Sequence, residues 1–567
     1  MDRLINKSAD ALVSQLVKSG VRQFFIAPGS RSTPLVAAAD EHPLAETFVH
    51  FDERGLGFYA LGYAKATKNP TAIIVTSGSA LGHLYPAVME AYSSEIPLLI
   101  LTADRPPELL DCGENQTANQ MNFFGTYVQW CTTIPPIDEE TPASMIPSIA
   151  AYAVSKAKGP EPGPVQINCM FREPFFTPTK GHITPPLKSH LSGKSTLSTS
   201  DIESIAMRLS QHKRGIILAG NYQSARCNEV ISTLSRRMNW PVVSCITSPY
   251  RSGKDSRYHV HYSDLLLEKL PIAEVDCVLQ IGDRFVSKHL GNMLQQTDLN
   301  EWIVLSETGK RLDRGLAVTT QISAAPLPVL NELVKSAYTD ATPSWPQSWV
   351  ALNKKTVAAL HYYFDKDNTF SEYHVFHELS SLIHFKGAFF FGNSLTIRNA
   401  DALFYPHFET TTFSSRGISG IDGHIATTAG LAQGKKAPII SIMGDQTFLH
   451  DMNSLPLLAE TKSPVLLFVI NNGGGKIFSF LPIKERKDLH TPYFYNPHKL
   501  ELSKLPSFFN IDTMKIHTIA EFQQILDSFL AHPRTLIVEV EIKSRCITEE
   551  KEALNAFLAK KNEYSKT

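Results

Sequence analysis

The stretch SPVLLFVINNGGGKIF (463–478) joins an apolar run to two asparagines and three glycines. The apolar run is typical of a buried strand, and the polar residues and glycines mark the point where that strand ends. The same change occurs upstream in PIISIMGDQT (438–447), where Asp445 follows a glycine. Both segments predict buried parallel strands with polar groups at their carboxyl ends, and they decide the fold class.

This pattern recurs along all 567 residues, because short apolar runs alternate with amphipathic stretches. The alternation predicts βαβ units and mostly parallel sheets. Segments rich in Pro and Ser, at 180–200 and 341–349, interrupt it. We therefore predict an α/β protein with three doubly wound parallel-sheet domains, at residues 1–183, 184–342 and 343–567. The predicted strands are 22–29, 46–51, 71–78, 97–104, 163–169, 215–220, 241–245, 274–282, 301–307, 387–394, 438–445, 464–472 and 535–541.

The composition argues against several functional classes. A net charge of −1 gives no overall field that favours nucleic acid or an anionic membrane. The longest apolar runs are shorter than the ~20 residues that span a bilayer, and the N-terminus lacks the apolar block of a signal peptide. Seven scattered cysteines without a CxxC pair are typical of reduced thiols. We expect a cytoplasmic protein that neither binds nucleic acid nor inserts into a membrane.

Asp445 and Asn472 follow two predicted strands, and the residues between them are enough for one crossover helix. A carboxylate, a carboxamide and a glycine carbonyl are hard oxygen ligands that suit Mg²⁺, which often completes its coordination with phosphate oxygens. Glycines 473–475 leave room for backbone N–H groups to approach a phosphate. Taken singly, Asp445 fits a helix N-cap and the glycines fit a flexible turn. Together they favour a metal and diphosphate site.

The GD pair at 444–445 and the NN pair at 471–472 resemble the metal motif of thiamine diphosphate-dependent enzymes. The resemblance implies that Asp445, Asn472 and the carbonyl of Gly474 bind Mg²⁺, with Mn²⁺ as an alternative, and that the metal holds the cofactor's diphosphate. Gln446 stands where the family usually has glycine, which leaves the metal ligands themselves unchanged. The implied cofactor contacts are Glu53, Ser394, Ile421, Gly444, Asp445, Gln446, Thr447, Asn472, Gly474 and Ile477.

The stretch VHFDERGLGFYALGYAKAT (49–67) resembles the family's element that carries the activating acid. In that element a glutamate shares a proton with the cofactor's aminopyrimidine ring. The resemblance assigns this role to Glu53, although Asp52 and Arg54 beside it fit an ordinary surface ion pair. Glu53 and Asp445 lie in different predicted domains, and the family builds its sites between subunits. The resemblance therefore implies a homodimer at least, and further a dimer of dimers (homotetramer).

Several arginines lie at turns that contain glycine or proline, and the chain has no HH pair of the pyruvate decarboxylase type. The planar guanidinium group binds carboxylates through two hydrogen bonds, so these positions favour substrates with several carboxylates. Each arginine alone also fits a helix cap or a surface ion pair. The arginines are Arg31, Arg105, Arg398 and Arg416, and Lys288 adds a further cation.

The sequence contains blocks that resemble, in this order, those of one family of thiamine diphosphate enzymes in menaquinone biosynthesis. They are APGSRSTPL (27–35), LTADRPPEL (101–109), DCGENQ (111–116), GNSLTIR (392–398), SRGISGIDG (415–423) and NNGGGKIFSFLP (471–482). The resemblance implies a transferase that decarboxylates 2-oxoglutarate and adds the succinyl carbanion to isochorismate in a 1,4 sense. His289 stands where some members of the family carry an arginine. Gln116 is implied as a catalytic residue together with Glu53. The implied substrate contacts are Ser30, Arg31, Arg105, Asn115, Gln116, Lys288, Ser394, Arg398, Arg416, Phe478 and Leu481.

Two alternatives stay open. A different 2-oxo acid ligase of the acetolactate synthase type would share Glu53, Asp445 and Asn472 but not the set of arginines. A non-catalytic binding module of the same fold would typically lack the glutamate or the metal-binding aspartate, and both are present.

Overall fold

The computed structural model describes most of the chain, namely residues 2–138, 140–142, 144–175, 188–190, 193, 195–252, 257–283, 285–313, 315–339, 342–367, 369–382, 384–406, 410–542 and 546–563. The predicted boundary after residue 183 lies outside these residues. The predicted boundary after residue 342 falls between two helices and stays a prediction. No helix in the described part of the chain is both long enough and apolar enough to cross a bilayer.

The described residues form three sheets of six strands each, and all strand neighbours are parallel. The first sheet has the order β2-β1-β3-β4-β6-β5, the second β12-β11-β10-β7-β8-β9, and the third β14-β13-β15-β16-β18-β17. The strands are β1 (Gln23–Ile26), β2 (Glu46–Val49), β3 (Thr71–Val75), β4 (Leu98–Asp104), β5 (Trp130–Ile134), β6 (Pro164–Met170), β7 (Gly215–Ala219), β8 (Val242–Ser244), β9 (His259–Val260), β10 (Cys277–Ile281), β11 (Glu301–Ser306), β12 (Thr320–Ser323), β13 (Ala388–Phe391), β14 (Thr411–Phe413), β15 (Ile439–Gly444), β16 (Val465–Asn471), β17 (Asp512–Ile516) and β18 (Leu536–Glu541).

Helices connect these strands and cover the sheets, as the doubly wound prediction requires. The helices are α1 (Asp2–Lys18), α2 (Thr33–Glu41), α3 (Glu53–Thr67), α4 (Ala80–His83), α5 (Tyr85–Ser94), α6 (Met145–Ala157), α7 (Thr199–Ser210), α8 (Cys227–Met238), α9 (Ser263–Leu266), α10 (Lys288–Gln295), α11 (Pro326–Ser336), α12 (Ser344–Lys366), α13 (Glu372–Leu379), α14 (Leu395–Leu403), α15 (His424–Lys435), α16 (Asp445–His450), α17 (Leu455–Glu460), α18 (Lys487–Leu489), α19 (Lys504–Ser507), α20 (Ile519–Ala531) and α21 (Ile547–Glu563).

The prediction of three parallel α/β domains is confirmed, and every predicted strand corresponds to an observed one. The prediction was incomplete, because it lacked β5, β9, β12, β14 and β17. Each of these five strands lies at the edge of its sheet. Edge strands are covered on fewer sides, so their sequences do not need the continuous apolar run that marks a central strand.

The first and third domains pack against each other through α3 and α15. Both helices carry a glycine at the contact, where a larger side chain would collide with the opposite backbone. A Cβ atom on Gly62 would lie 2.2 Å from the carbonyl oxygen of Thr427, and one on Gly430 would lie 2.1 Å from that of Tyr59. This close approach joins the two domains through one shared apolar core.

The middle domain is joined to the third by a buried arginine. Arg251 donates hydrogen bonds to the carbonyl oxygens of Ser244, Asp401 and Phe404, and the carboxylate of Asp401 accepts the backbone N–H of Ile246 at 2.7 Å. Arg251 is only 1% exposed, and these bonds satisfy its two terminal nitrogens, whereas its Nε has no partner among the described residues. Arg251 therefore fixes the middle domain against α14, the helix that carries Arg398.

Candidate functional site

The candidate site lies at the carboxyl ends of β15 and β16, which are neighbours in the third sheet. Gly444 at the end of β15 is paired in register with Ile470 of β16, so Asp445 and Asn472 both emerge at the same sheet edge. This arrangement follows the prediction from the spacing of the two motifs. In open α/β sheets this edge is where ligands bind.

Asp445 begins α16 and is only 3% exposed. Its Oδ1 accepts the N–H of Gln446 at 2.6 Å, its Oδ2 accepts the N–H of Gly474 at 2.8 Å, and Nε2 of His498 lies 3.2 Å from Oδ2. Burial raises the pKa of this carboxyl, while the backbone N–H donors and His498 oppose that rise. The hydrogen bonds fix the orientation of the carboxylate and tie the end of β15 to the glycine loop.

Asn472 presents an unpaired oxygen at the same place. Its Nδ2 donates to Oε1 of Glu372 at 2.7 Å, while its Oδ1 is buried and has no hydrogen-bond partner among the described residues. A buried acceptor without a partner is uncommon and calls for a ligand. Asn472 and Asp445 together supply hard oxygen donors, which fit a Mg²⁺ ion.

The glycine loop after Asn472 needs its glycines. Gly474 has a φ of +140°, and a Cβ atom there would lie 2.4 Å from the carbonyl oxygen of Tyr495. The N–H of Gly475 donates to that same oxygen at 2.7 Å. The bare backbone therefore lies directly beside Asp445, with Lys476 next in sequence, and this is a setting that suits a phosphate group.

One cavity is built around these groups, and the predicted cofactor residues other than Glu53 all line it. Its walls come from α13, α14, the segment before α15, and the ends of β15 and β16. The lining residues are Glu372, Ser394, Leu395, Thr396, Ile421, Gly444, Asp445, Gln446, Thr447, Ile470, Asn472, Gly474, Gly475, Lys476 and Ile477.

Glu372 is a member of this cavity that the sequence analysis did not identify. It begins α13 and is 3% exposed, and it accepts hydrogen bonds from Asn472 and, at 3.2 Å, from Nδ2 of Asn399. Burial raises its pKa to about 7, against the hydrogen bond from Asn472. No motif marks Glu372, because it lies 100 positions before its partner in the chain. His498 was also not identified, and for the same reason.

Glu53 begins α3 and is not among the residues that line the cavity in the described part of the same chain. Its neighbours contact the third domain instead. Arg54 donates to the carbonyl oxygen of His450 at 2.8 Å, and Asp52 accepts a hydrogen bond from Nδ2 of Asn453 at 3.3 Å. Glu53 is thereby anchored at the far end of α16, the helix that begins with Asp445.

The predicted substrate residues of the first domain form a separate cluster. Arg31 donates to the carbonyl oxygen of Phe171 at 3.0 Å, and Arg105 donates to Oγ of Ser77. Gln116 donates to the carbonyl oxygen of Ser77 at 3.1 Å. Burial lowers the pKa of Arg31, and the positive charge of Arg105 lowers it further. Two buried cations, in the loops after β1 and β4 on either side of β3, form a site that suits an anion. The sequence analysis did not identify Ser77, which follows β3. Ser30 and Asn115 are exposed beside this cluster.

The predicted substrate residues of the third domain lie next to the cavity. Arg398, on α14, donates to the carbonyl oxygen of Ser394, which lines the cavity. Arg416 donates to Oδ1 of Asn393 at 3.0 Å. Burial lowers the pKa of Arg398, and the negative charge of Asp264 opposes that shift.

The remaining predicted substrate residues are more exposed. Phe478 packs against the ring of Phe494 at a centroid distance of 5.5 Å, and Leu481 is exposed. Lys288 and His289 are exposed at the start of α10. Within the described part of one chain, the predicted residues are therefore divided among a cluster in the first domain, a cavity in the third and, for Lys288, the start of α10 in the middle domain.

Comparison with known proteins shows similarity along most of the chain. Residues 6–125 match the family model "Thiamine pyrophosphate enzyme, N-terminal TPP binding domain", residues 188–391 match "Middle domain of thiamine pyrophosphate", and residues 401–540 match "Thiamine pyrophosphate enzyme, C-terminal TPP binding domain".

Among curated proteins, the chain is similar to several that are named 2-succinyl-5-enolpyruvyl-6-hydroxy-3-cyclohexene-1-carboxylate synthase. The protein of Rubrobacter xylanophilus is 34% identical, over 93% of this chain and 94% of the relative. That of Aeromonas salmonicida is 34% identical, over 96% of this chain and 97% of the relative. That of Salinibacter ruber is 34% identical, over 88% and 87% respectively.

Proposed function

Because the chain belongs to the family of 2-succinyl-5-enolpyruvyl-6-hydroxy-3-cyclohexene-1-carboxylate (SEPHCHC) synthases among the thiamine pyrophosphate enzymes, we propose that it decarboxylates 2-oxoglutarate and adds the remaining succinyl unit to isochorismate. The product is SEPHCHC, an intermediate of menaquinone biosynthesis. The observation that carries this proposal is the position of Arg398 and Arg416, both bonded to the segment that lines the Asp445–Asn472 cavity. Guanidinium groups beside a phosphate-binding pocket suit substrates with several carboxylates.

We infer that Asp445, Asn472 and the carbonyl of Gly474 hold a Mg²⁺ ion at the diphosphate of thiamine diphosphate. The support is the buried Oδ1 of Asn472, which lacks a partner among the described residues, and the fixed carboxylate of Asp445 beside it. Ile421, Ile470 and Ile477 give the same cavity apolar walls that exclude water. When bound, thiamine diphosphate supplies a nucleophilic carbon and accepts the electrons that are released as CO₂ leaves.

The side chains of the protein then have two tasks in the proposed reaction. Glu53 holds and returns a proton at the pyrimidine ring, with Gln116 close to the reacting atoms. The arginines of the first-domain cluster and those beside the cavity bind the carboxylates of 2-oxoglutarate and then of isochorismate. These contacts fix the second substrate for attack. Arg31 and Arg105 suit this role because burial leaves their charges little screened by water.

The proposal includes a homodimer, in which the first-domain cluster of one subunit completes the cavity of the other. Support comes from the division of the predicted residues and from the exposed apolar side chains near Glu53, since Val49 is 58% and Phe51 61% exposed. Exposed apolar side chains that lie together are typical of an interface. A dimer of dimers would need a second interface and stays a prediction. The proposed location is the cytoplasm, which seven cysteines without disulfide bonds support.

Turnover with defined substrates tests the function. Purified protein is mixed with thiamine diphosphate, Mg²⁺ and isochorismate, and either 2-oxoglutarate or pyruvate is added. The proposal expects isochorismate to be consumed with 2-oxoglutarate and to persist with pyruvate. Formation of acetolactate from pyruvate, with isochorismate unused, would favour the acetolactate synthase alternative instead.

A further inference from the structure

We propose that Glu372 is a positioning residue that sets the orientation of the Asn472 carboxamide, so that Oδ1 and not Nδ2 faces the metal. This inference rests on the proposed function, because it assigns a role toward the Mg²⁺ ion that Asp445 and Asn472 would hold. It adds a residue to the site that no sequence motif marks.

The geometry leaves one orientation of the carboxamide. Nδ2 of Asn472 lies 2.7 Å from Oε1 of Glu372, and Oδ1 is buried without a partner among the described residues. In this structure both oxygens of Glu372 accept hydrogen bonds, whereas a carboxamide donates on one side and accepts on the other. Glu372 therefore selects the rotamer that directs the oxygen away from it. Rotation of the carboxamide by 180° would place two acceptors in contact and would direct an N–H group at the cation.

The second oxygen of Glu372 serves the substrate side of the cavity. Its Oε2 accepts the Nδ2 donor of Asn399 at 3.2 Å, and Asn399 follows Arg398 on α14. One carboxylate thus joins the metal ligand on the loop after β16 to the helix that carries a predicted substrate arginine. Both oxygens are used as acceptors, so an isosteric amide cannot replace the carboxylate without reversing one of the two bonds.

A purely structural role would not need an acidic group here. A buried carboxylate is costly unless its hydrogen bonds and local charges compensate the loss of water, and a glutamine of the same shape avoids the charge. Glu372 lines the cavity, and its carboxylate accepts hydrogen bonds from both asparagines. Residues that orient metal ligands through hydrogen bonds typically affect metal affinity by about 10–100-fold.

The test compares Glu372→Gln with wild type by calorimetric titration of Mg²⁺ into protein with saturating thiamine diphosphate. We expect the affinity for Mg²⁺ to fall by about 10–100-fold, while the melting temperature of the metal-free protein stays equal or rises. Glu550→Gln is the matched control, because Glu550 is equally buried and accepts a hydrogen bond from Ser371, the residue beside Glu372. Its Mg²⁺ affinity should stay within about twofold of wild type.

A reversal of hydrogen-bond polarity separates orientation from packing. Asn472→Asp alone places two carboxylates in contact and should weaken binding. Glu372→Gln combined with Asn472→Asp restores a donor and acceptor pair while keeping the same ligand at position 472, so the double variant should bind Mg²⁺ at least about threefold more tightly than Asn472→Asp alone.

Three outcomes would contradict the account. Mg²⁺ affinity of Glu372→Gln within about twofold of wild type would overturn the positioning role. A double variant that binds no more tightly than Asn472→Asp alone would overturn the orientation argument. No Mg²⁺-dependent binding of thiamine diphosphate by wild type would instead contradict the proposed function itself, and this inference with it.

Discussion

Replacement of Arg398 tests whether the arginine beside the cavity binds a substrate carboxylate. Within the described residues one N–H of Arg398 bonds to Ser394, and a guanidinium group carries five such donors, so donors remain for a carboxylate. Loss of one partner of a buried charge pair costs about 2–5 kcal/mol. Because Arg398 is only half-buried, we expect Arg398→Ala to cost about 2 kcal/mol, which lowers kcat/KM by about 30-fold.

The assay is steady-state kinetics with each substrate varied separately, alongside calorimetric titration of thiamine diphosphate. Arg398→Ala should change kcat/KM for 2-oxoglutarate, isochorismate or both, while cofactor affinity stays within about twofold of wild type. Arg398→Lys should recover little, since a point charge cannot form the two parallel bonds of the guanidinium group. Wild-type kcat/KM for both substrates in Arg398→Ala and in Arg416→Ala would refute the carboxylate argument.

Three further predictions follow from the site and the core. Asp445→Ala should abolish measurable binding of thiamine diphosphate in a calorimetric titration, because only neutral metal ligands remain; affinity within about twofold of wild type would remove Asp445 from the site. Glu53→Gln should bind thiamine diphosphate but exchange the cofactor's C2 proton in D₂O far more slowly, as followed by NMR, and unchanged exchange would contradict the role of Glu53. Mixing Glu53→Gln with Asp445→Ala should restore activity if the sites form between subunits, and no restored activity would contradict that arrangement. Burial lowers the pKa of His261, which stacks on Tyr405 at 3.8 Å, to about 3. The stability that the neutral His261 contributes is present above its unfolded pKa of about 6.5 and is lost as the pH falls below it. In urea unfolding, the free energy of unfolding of His261→Phe relative to wild type should therefore be about 2 kcal/mol more favourable at pH 5 than at pH 7.5. An equal difference at both pH values would contradict the assignment.

The central strands could be predicted from the sequence because burial on both faces demands an apolar run, as in Val465–Asn471. Five of the six edge strands could not, since Asp512–Ile516, for example, alternates exposed and half-buried residues before the buried Ile516, and Thr411–Phe413 is only half-buried throughout. A polar edge strand and a loop have the same local composition. Only pairing with a neighbour, which is a property of the fold, distinguishes them.

The same limit applies to the site. Asp445 and Asn472 could be predicted to lie together, because neighbouring parallel strands bring their carboxyl ends to one edge. Glu372 reaches the same cavity from a distant helix and His498 contacts Asp445 from a loop, and no spacing rule relates them to these residues. The residues that we propose to bind the metal were thus recognisable from the sequence, whereas those that contact and orient them were recognisable only from the structure.

Product analysis with labelled 2-oxoglutarate tests the central claim most directly. The enzyme is incubated with isochorismate, thiamine diphosphate and Mg²⁺, together with 2-oxoglutarate that carries ¹³C at C1 or at C5, and the products are analysed by mass spectrometry. The proposed reaction predicts that the C1 label leaves as CO₂ and that the C5 label appears in SEPHCHC, only when cofactor and metal are both present. A product that keeps the C1 label, or isochorismate that remains unchanged while CO₂ is released, would contradict it.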